Sequence, residues 1–346
     1  MKRAYLRVVV LALLIGLVGS ASAWANVHAS RRSRIHRSGG HRERPTSVLL
    51  ESLELPRPGQ LESLQPDFAI NAAAAILMDG RSGQVLFARN PDEALPPASV
   101  TKILTALVIL ENGNLGDTVT VSRAAASVGG FRLGLHAGQR TTLEDLLAAV
   151  LIRSANDAAV AAAEHVGGGL ARFVDLMNAR AQQIGMIHSH FANPHGLDEP
   201  THYTTARDMA LLTRVALDHP LFARLVSARE ARVKIWRTTR RGLSPQPRLI
   251  LSHNKLLGRL EGADGVKTGY TGSAGRCLVG SASRGERRMI TVLLNDPRRW
   301  SDAALLLEYG FLVAGSSAQT EPAGSPSVRS AEVRSRLAAE AREEHP

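Results

Sequence analysis

The sequence predicts an α+β fold in which one antiparallel sheet is assembled from both ends of a globular unit, with helices between. Three observations carry this. Short apolar runs bounded by turn residues lie near residues 73–88 and again near 276–294, the stretch between them has helical periodicity, and nowhere does an apolar run approach 18 residues. With 346 residues and 44% hydrophobic composition the chain can bury a sizeable core, which excludes a wholly disordered protein.

The first 25 residues follow the pattern of a secretory signal: Lys2, Arg3 and Arg7, an apolar run over residues 8–18, then small residues at Ala21, Ala23 and Ala25. The run is too short to span a bilayer comfortably. Cleavage is expected, placing the protein in the periplasm or cell envelope, with an uncleaved anchor as the alternative. Residues 26–65 read as a linker, with six arginines between Arg31 and Arg44, Gly39-Gly40, and prolines at 45, 56 and 58. A solvated spacer is expected there, the alternative being a basic arm that touches anionic envelope polymers or lipid headgroups. The net charge of +11 suggests a nucleic-acid binder until it is located: nine Lys/Arg and one acid in residues 1–44 give +8, leaving +3 for the rest. No nucleic-acid partner is expected.

Residues 66–314 form the expected globular unit. Apolar runs at 73–78 and 84–88 flank Asp79-Gly80-Arg81-Ser82-Gly83, a hairpin signal. After Pro96-Pro97, Val100, Ile103, Leu104, Leu107 and Val108 mark one face of a buried helix. Thr141-x-x-Glu144 reads as a capping box opening a second helix that must stop near Ser154. An Ala-rich helix over about 157–166 ends at Gly167-Gly168-Gly169, and another runs over 170–184 until Gly185. Strands at 276–283 and 289–294 surround the turn Arg284-Gly285-Glu286, and a last helix covers about 301–309. Residues 315–346, rich in Ser, Ala, Pro, Arg and Glu, read as a polar tail. The single cysteine, Cys277, excludes an intramolecular disulfide and reads as a small buried residue in the strand Cys277-Leu278-Val279.

The lysines carry the chemistry. The chain has 37 arginines and only five lysines, so each lysine stands where arginine is the commoner choice. Two Ser-x-x-Lys tetrads occur: Ser99-Val100-Thr101-Lys102 and Ser252-His253-Asn254-Lys255. Ser99 opens the striped helix, so Lys102 lies one turn along on the same side, within reach of the serine proton, and the helix N-terminus offers N–H groups to an oxyanion. Ser252 follows Leu249-Ile250-Leu251, where a strand would splay Ser252 and Lys255 apart, so that tetrad is read as structural. Ser154-Ala155-Asn156 stands at a break between helices. Its hydroxyl suits proton relay and its amide suits a peptide group, although alone it reads as a helix cap. Lys267-Thr268-Gly269 enters the late sheet, where glycine admits close backbone approach and lysine sets a cation at the strand edge.

In this order the three motifs form a specific triplet. With them stand Pro97-Ala98-Ser99-Val100-Thr101-Lys102, Met177-Asn178, Phe191-Ala192-Asn193-Pro194-His195-Gly196-Leu197-Asp198, His202-Tyr203-Thr204-Thr205-Ala206-Arg207-Asp208-Met209-Ala210, Asp264-Gly265-Val266-Lys267-Thr268-Gly269-Tyr270-Thr271 and Tyr309-Gly310-Phe311. Over about residues 68–313 the sequence resembles the serine penicillin-binding proteins, most closely the low-molecular-mass D-alanyl-D-alanine carboxypeptidases of peptidase family S11.

The resemblance implies a β-lactamase/transpeptidase-like fold, an antiparallel sheet flanked by helices with a helical subdomain and the site between them. It implies that Ser99 attacks the carbonyl of a D-Ala-D-Ala bond in peptidoglycan stem peptides, with Lys102 as base and Ser154 passing the proton to the leaving amine. It further implies that Asn156 and Lys267 hold the substrate and Thr268 its terminal carboxylate, that the N–H groups of Ser99 and Tyr270 form the oxyanion hole beside Gly269, and that Arg299 stands near the carboxylate. Penicillins and other β-lactams would acylate the same serine, and no cofactor or metal is implied. Longer members continue into a β-rich domain and an amphipathic membrane helix; only about 30 polar residues follow the core here, so no stable membrane anchor is expected after signal cleavage. Short members cleave D-alanyl cross-links as endopeptidases, which is the runner-up activity. A β-lactamase is disfavoured because no Glu-x-x-Leu-Asn lies between Ser154 and Lys267. His188, His190, His195 and His202 raise a zinc peptidase, disfavoured because no His-Glu-x-x-His accompanies them. A non-catalytic peptidoglycan-binding protein is the remaining alternative.

Overall fold

The computed structural model describes residues 69–239 and 242–316. The expected signal, the linker, and all but the first two residues of the expected tail lie outside the described residues. Two strands, β1 (Ala74–Asp79) and β2 (Val85–Arg89), form the N-terminal hairpin. The Asp79 carboxylate shapes its turn by accepting the Arg81 and Ser82 N–H groups at 3.0 and 2.8 Å. At the other end, β7 (Ala263–Thr271), β8 (Gly275–Arg284) and β9 (Arg287–Leu294) form a meander. β1 pairs antiparallel with β9, so the sheet order is β2-β1-β9-β8-β7, and both ends of the unit meet in one sheet as expected.

Alternation along these strands serves two cores. Ile76, Met78, Val279, Ile290 and Val292 face a large helical cluster. Leu77, Leu278, Met289 and Leu293 face the C-terminal helix α8 (Arg299–Ser316) through Ala303, Leu306 and Leu307. That helix was expected only over 301–309. It continues because Tyr309, Phe311 and Ala314 still pack on the sheet.

Within the helical cluster lies α1 (Lys102–Asn112), preceded by a 3₁₀ turn, Ala98–Thr101, that packs on β7. The sequence marks one apolar face on α1, yet every residue from Lys102 to Ile109 is buried. The helix is enclosed by α4 (Asn156–Gly167), α5 (Leu170–Ile184) and α6 (Ala206–Leu217), the last of which packs on β1 and β9, so from Lys102 to Ile109 it has no solvent side. Two short elements, β3 (Thr118–Thr120) and α2 (Arg123–Ser127), lead to β4 (Arg140–Thr142) and α3 (Leu143–Ala148). The cap of α3 is Thr142, which accepts the Asp145 N–H at 3.1 Å, and not Thr141 with Glu144. Thr141 is tied up in β4, its hydroxyl donating to the Lys234 carbonyl at 2.8 Å.

Sequence periodicity missed α6, α7 (Pro220–Ser227) and most of a second sheet, β3-β4-β5-β6. Its long hairpin, β5 (Glu230–Thr239) with β6 (Gly242–Leu251), carries prolines at 245 and 247 and few buried side chains, so it lacks a strand signature. Edge position reconciles the prolines with a strand, since β6 is terminal in this sheet.

Asp157, fully buried in the first turn of α4, holds the loop above the helices. Its carboxylate accepts the N–H groups of Leu133, Gly134 and Leu135 at 2.8, 2.8 and 2.9 Å. Asp157→Ala should orphan these donors and lower unfolding free energy by about 3 kcal/mol in denaturant titration, with Asp157→Asn intermediate. An unchanged midpoint would show that the loop is held by other contacts.

Candidate active site

The site lies where the 3₁₀ turn, the break before α4 and the edge strand β7 converge. Ser99 sits in the turn and Lys102 one turn later, with Lys102 Nζ 2.9 Å from Ser99 Oγ. Lys102 is fully buried. Its amine also meets Asn156 Oδ1 at 2.7 Å and the His195 carbonyl at 2.5 Å. Burial, reinforced by the charge of Lys267 and offset by Asp157, holds the Lys102 amine well below the usual lysine range. The orientation of the Asn156 amide follows from its other end, where Nδ2 donates to the Gly129 carbonyl at 2.7 Å.

The helix that the sequence stops near Ser154 ends in one π-helical turn, Ala149–Arg153. Ser154 then takes a left-handed conformation, φ 62°. This costs on the order of 1–2 kcal/mol for a non-glycine residue, and it turns the hydroxyl toward the sheet. There Lys267 Nζ donates to Ser154 Oγ at 2.8 Å and to the Thr268 carbonyl at 2.9 Å. Lys267 is buried as well, and burial with the nearby Arg299 charge pulls its pKa down to about 7.

Gly269 explains how β7 comes so close. A Cβ there would stand 3.1 Å from both the Ser99 nitrogen and the Pro97 carbonyl oxygen. Tyr270 is 61% exposed at the mouth. Arg299 is half-buried at the start of α8, where Nη1 donates to the carbonyls of Gly269 at 2.8 Å and Cys277 at 3.2 Å. It therefore braces β7 from the side of β8.

The turn bearing Ser99 is braced too. Ala98 has φ 50°, an uncommon value for a residue with a Cβ. The Thr101 hydroxyl donates to the Ala98 carbonyl at 2.8 Å and lies 2.8 Å from His202 Nε2. His202 Nδ1 accepts the Ala192 N–H at 3.0 Å, so the proton is on Nε2 and the ring is neutral. Burial pulls its pKa down to about 4. The Asn193-Pro194-His195-Gly196 segment supplies a carbonyl: Asn193 Oδ1 accepts the N–H of Gly196 at 2.7 Å, which directs the His195 oxygen at Lys102. Gly196, φ +86°, lies so near Ala98 that a Cβ would be 1.9 Å from its carbonyl oxygen.

Ser99, Lys102, Ser154, Asn156, Lys267, Thr268 and Gly269 are thus brought together, with Tyr270 at the mouth and Arg299 behind the strand. Asn156 differs from expectation in having both ends of its amide engaged within the protein, one of them on Lys102. Sequence reasoning missed the tasks of His202, Thr101, Asn193 and the His195 carbonyl, because a main-chain acceptor has no sequence signature; the Asn-Pro-His-Gly turn was the available signal. Ser252 and Lys255 lie beyond β6 in a turn, where Ser252 Oγ accepts the Asn254 N–H at 3.2 Å, so a turn and not a strand keeps them from pairing. The histidines serve as loop braces, His190 Nδ1 bonding the Thr201 carbonyl at 2.6 Å. Among the described residues no three His, Cys, Asp or Glu side chains gather as a metal-ligand set. Cys277 is buried as read from the sequence, and burial raises its pKa to about 11.

This fold is that of DD-peptidases of known structure. A mutant of the Streptomyces K15 DD-transpeptidase superposes with a TM-score of 0.67 at 30% identity, covering 72% of this chain and 100% of that one. A Mycobacterium tuberculosis D-alanyl-D-alanine carboxypeptidase gives 0.65 at 35% identity, covering 72% and 94%. Residues 60–298 match the model of peptidase family S11, D-alanyl-D-alanine carboxypeptidase, and the chain belongs to that family. It is 35% identical over 259 residues to D-alanyl-D-alanine carboxypeptidase DacF of Bacillus subtilis, covering 71% of this chain and 63% of the relative. It is 36% identical over 247 residues to DacB2 of Mycobacterium tuberculosis, covering 68% and 81%. The matched part spans 62% of DacC of Escherichia coli, so the chain covers a little under two thirds of several of these relatives.

The two buried lysines are electrostatically linked, which sets a pH test. The Lys267 charge disfavours protonated Lys102, so Lys267→Ala should raise the Lys102 pKa and move the acid limb of a penicillin acylation profile to higher pH. A limb that stays in place, or moves to lower pH, would show that Lys267 does not tune Lys102.

Proposed function

We propose that the protein is a serine D,D-carboxypeptidase that removes the terminal D-Ala from peptidoglycan stem peptides through an acyl-enzyme on Ser99, and that penicillins block it by acylating the same residue. One observation carries the reading. A neutral amine has two N–H groups and one lone pair, and the amine of Lys102 has three neighbours: Asn156 Oδ1, the His195 carbonyl and Ser99 Oγ. The first two can only accept, so they take the N–H groups and leave the lone pair facing the Ser99 hydroxyl. Burial, which lowers the Lys102 pKa, favours that neutral form.

The steps follow from this arrangement. Lys102 takes the Ser99 proton as Oγ adds to the D-alanyl carbonyl, and the N–H groups of Ser99 and Tyr270 receive the oxyanion. Ser154, bonded to Lys267, passes a proton to the departing amine. Lys267 and Thr268 hold the terminal carboxylate, and Arg299 adds positive charge behind the strand. Water then adds to the ester and gives a proton back to Ser154, the acyl group leaves as the free acid, and Lys102 returns its proton to Ser99. We place this chemistry in the periplasm or cell envelope on the strength of the signal pattern in residues 1–25. Among the described residues no helix is long and apolar enough to cross a membrane.

Labelled penicillin should attach to Ser99 in the purified protein, as read by peptide mapping; a label on Ser252, or none, would overturn the assignment. The two lysines should also part company on substitution. Lys102→Arg puts a guanidinium that cannot act as base beside Ser99 and should cost at least about a thousandfold in acylation rate. Lys267→Arg retains the charge and donors for Ser154 and Thr268, and should lose roughly ten- to a hundredfold, about 1.4–2.7 kcal/mol of transition-state stabilisation. Equal losses in the stopped-flow rates would break the division between base and electrostatic anchor.

A further inference from the structure

One end of the cleft is crossed by a hydrogen bond that the acyl transfer does not use. Thr271, the last residue of β7, donates through Oγ to Asp198 Oδ1 at 2.6 Å. The same hydroxyl accepts the Ala274 N–H at 3.0 Å, which directs its proton at the carboxylate. Thr271 belongs to the sheet and Asp198 to the loop that carries the His195 carbonyl, so the bond joins the two walls between which Ser99 lies.

Each wall fixes its own member of the pair. Gly269 packs on the Ser99 turn, and Thr271, two residues on, is on the same face of the strand. Across from it, Asn193 holds the turn before Asp198 twice: Oδ1 accepts the Gly196 N–H at 2.7 Å, and Nδ2 donates to the Leu197 carbonyl at 2.9 Å. Leu197 is half-buried. A Cβ on Gly130 would lie 2.7 Å from Asn156 Nδ2 and 3.6 Å from Leu197 Cδ2, so Leu197 and the Asn156 amide border the same backbone. Asp198, next along the loop, is exposed, as is Glu199. A carboxylate has two oxygens and about four lone-pair sites, so one hydroxyl leaves Asp198 able to accept a further donor.

The order of contacts along β7 says what reaches this point. Thr268 meets the terminal carboxylate and the Tyr270 N–H the oxyanion, so the acyl side of an extended substrate continues past Tyr270 towards Thr271. Strand and peptide both advance about 3.3 Å per residue, which sets the residue before the acylated D-Ala beside Thr271 and Asp198. Negative charge there favours a side chain that ends in an ammonium, and Leu197 gives the methylenes of such a side chain an apolar neighbour.

We propose that Asp198, held by Thr271, is a specificity-determining residue that binds the side-chain ammonium of the residue preceding D-Ala-D-Ala, so that the protein selects stem peptides whose side-chain amine is still free. The proposal rests on the reading of Ser99 as the acylated nucleophile of a carboxypeptidase. A strand whose amine is already joined in an amide presents no charge to Asp198 and is the poorer substrate.

The test uses the purified full chain and three linear peptides that differ only at the residue before D-Ala-D-Ala: lysine, Nε-acetyllysine and glutamate. At about 0.05 M salt the lysine peptide should have a kcat/KM about fivefold above the acetyllysine peptide, the size an ion pair open to water supplies, with the difference mainly in KM and the glutamate peptide slowest. Raising salt to about 0.5 M should narrow the ratio. Asp198→Asn keeps an oxygen for the Thr271 hydroxyl and removes the charge, so the ratio of lysine to acetyllysine peptide should fall to near one. Asp198→Lys should make the glutamate peptide the preferred one, an inversion that a merely structural role for Asp198 does not produce. Equal kcat/KM for the lysine and acetyllysine peptides in the unaltered protein, or a preference that survives Asp198→Asn, would overturn the assignment. Failure of labelled penicillin to attach to Ser99 in the unaltered protein would instead overturn the reading beneath it.

Discussion

An amine without water around it is the constraint on which the rest depends. Lys102 is wholly enclosed, and a charged ammonium there would forfeit its hydration. Its environment is built to suit the neutral form: two fixed acceptors for two N–H groups, and a hydroxyl opposite the lone pair. Each acceptor is held from elsewhere. Asn156 opens α4 and is oriented by the Gly129 carbonyl, while the His195 oxygen is directed by Asn193 from a loop 93 residues beyond Lys102. From Lys102 to Ile109 the helix that carries the lysine has no solvent face, because other helices enclose it. Burial of α1 and depression of the Lys102 pKa are therefore one fact seen at two scales.

The cations near the nucleophile have distinct surroundings and cannot be exchanged. Lys102 is fully buried between two acceptors and the Ser99 hydroxyl, and burial holds its amine well below the usual lysine range. Lys267, with a hydroxyl and a carbonyl as partners and Arg299 nearby, has a pKa near neutrality, so it can carry charge to a carboxylate or share a proton with Ser154. Arg299 bonds two strand carbonyls and supplies positive charge without titrating. In a chain that uses arginine far more often than lysine, the two lysines stand where an amine that can be neutral is needed.

Strain is concentrated at the same place. Of the four non-glycine residues with positive φ among the described residues, Ala98 and Ser154 flank Ser99 and Lys267, and the other two, Asn90 and Asn295, are of a type that tolerates this conformation. The Ala98 turn is held by the chain of contacts from the Ala192 N–H through His202 and Thr101, and by a glycine at 196 that lets a loop press against it. Ser154 is held by Lys267 on one side and by the packed start of α4 on the other. These contacts hold both turns in one geometry, so little reorganisation would be left for the acyl transfer proposed at Ser99.

The sequence by itself determined the elements whose causes are local. The hairpin at Asp79, the helix stopped by Gly185, the break at Ser154 and the strands meeting across Gly285 depend on turn residues and on apolar periods of two or 3.6, all within a few positions of each other. Ser99 and Lys102 belong to this group, since spacing alone puts them on one side of a turn, and the ordered motifs pointed to Ser154, Asn156 and Lys267. Tertiary structure decided what depends on distance along the chain. The His195 carbonyl on Lys102, the hydroxyl of Ser154 on Lys267, the carboxylate of Asp157 on the 133–135 loop and the neutral ring of His202 beneath the Ser99 turn each join residues 22 to 113 positions apart. The β5–β6 hairpin, too, was decided by its neighbours, because a proline-bearing strand with few buried side chains is recognisable only by what it pairs with. Local physics selects conformations; the chemistry proposed at Ser99 needs low dielectric and fixed partners, and only packing of remote segments supplies those.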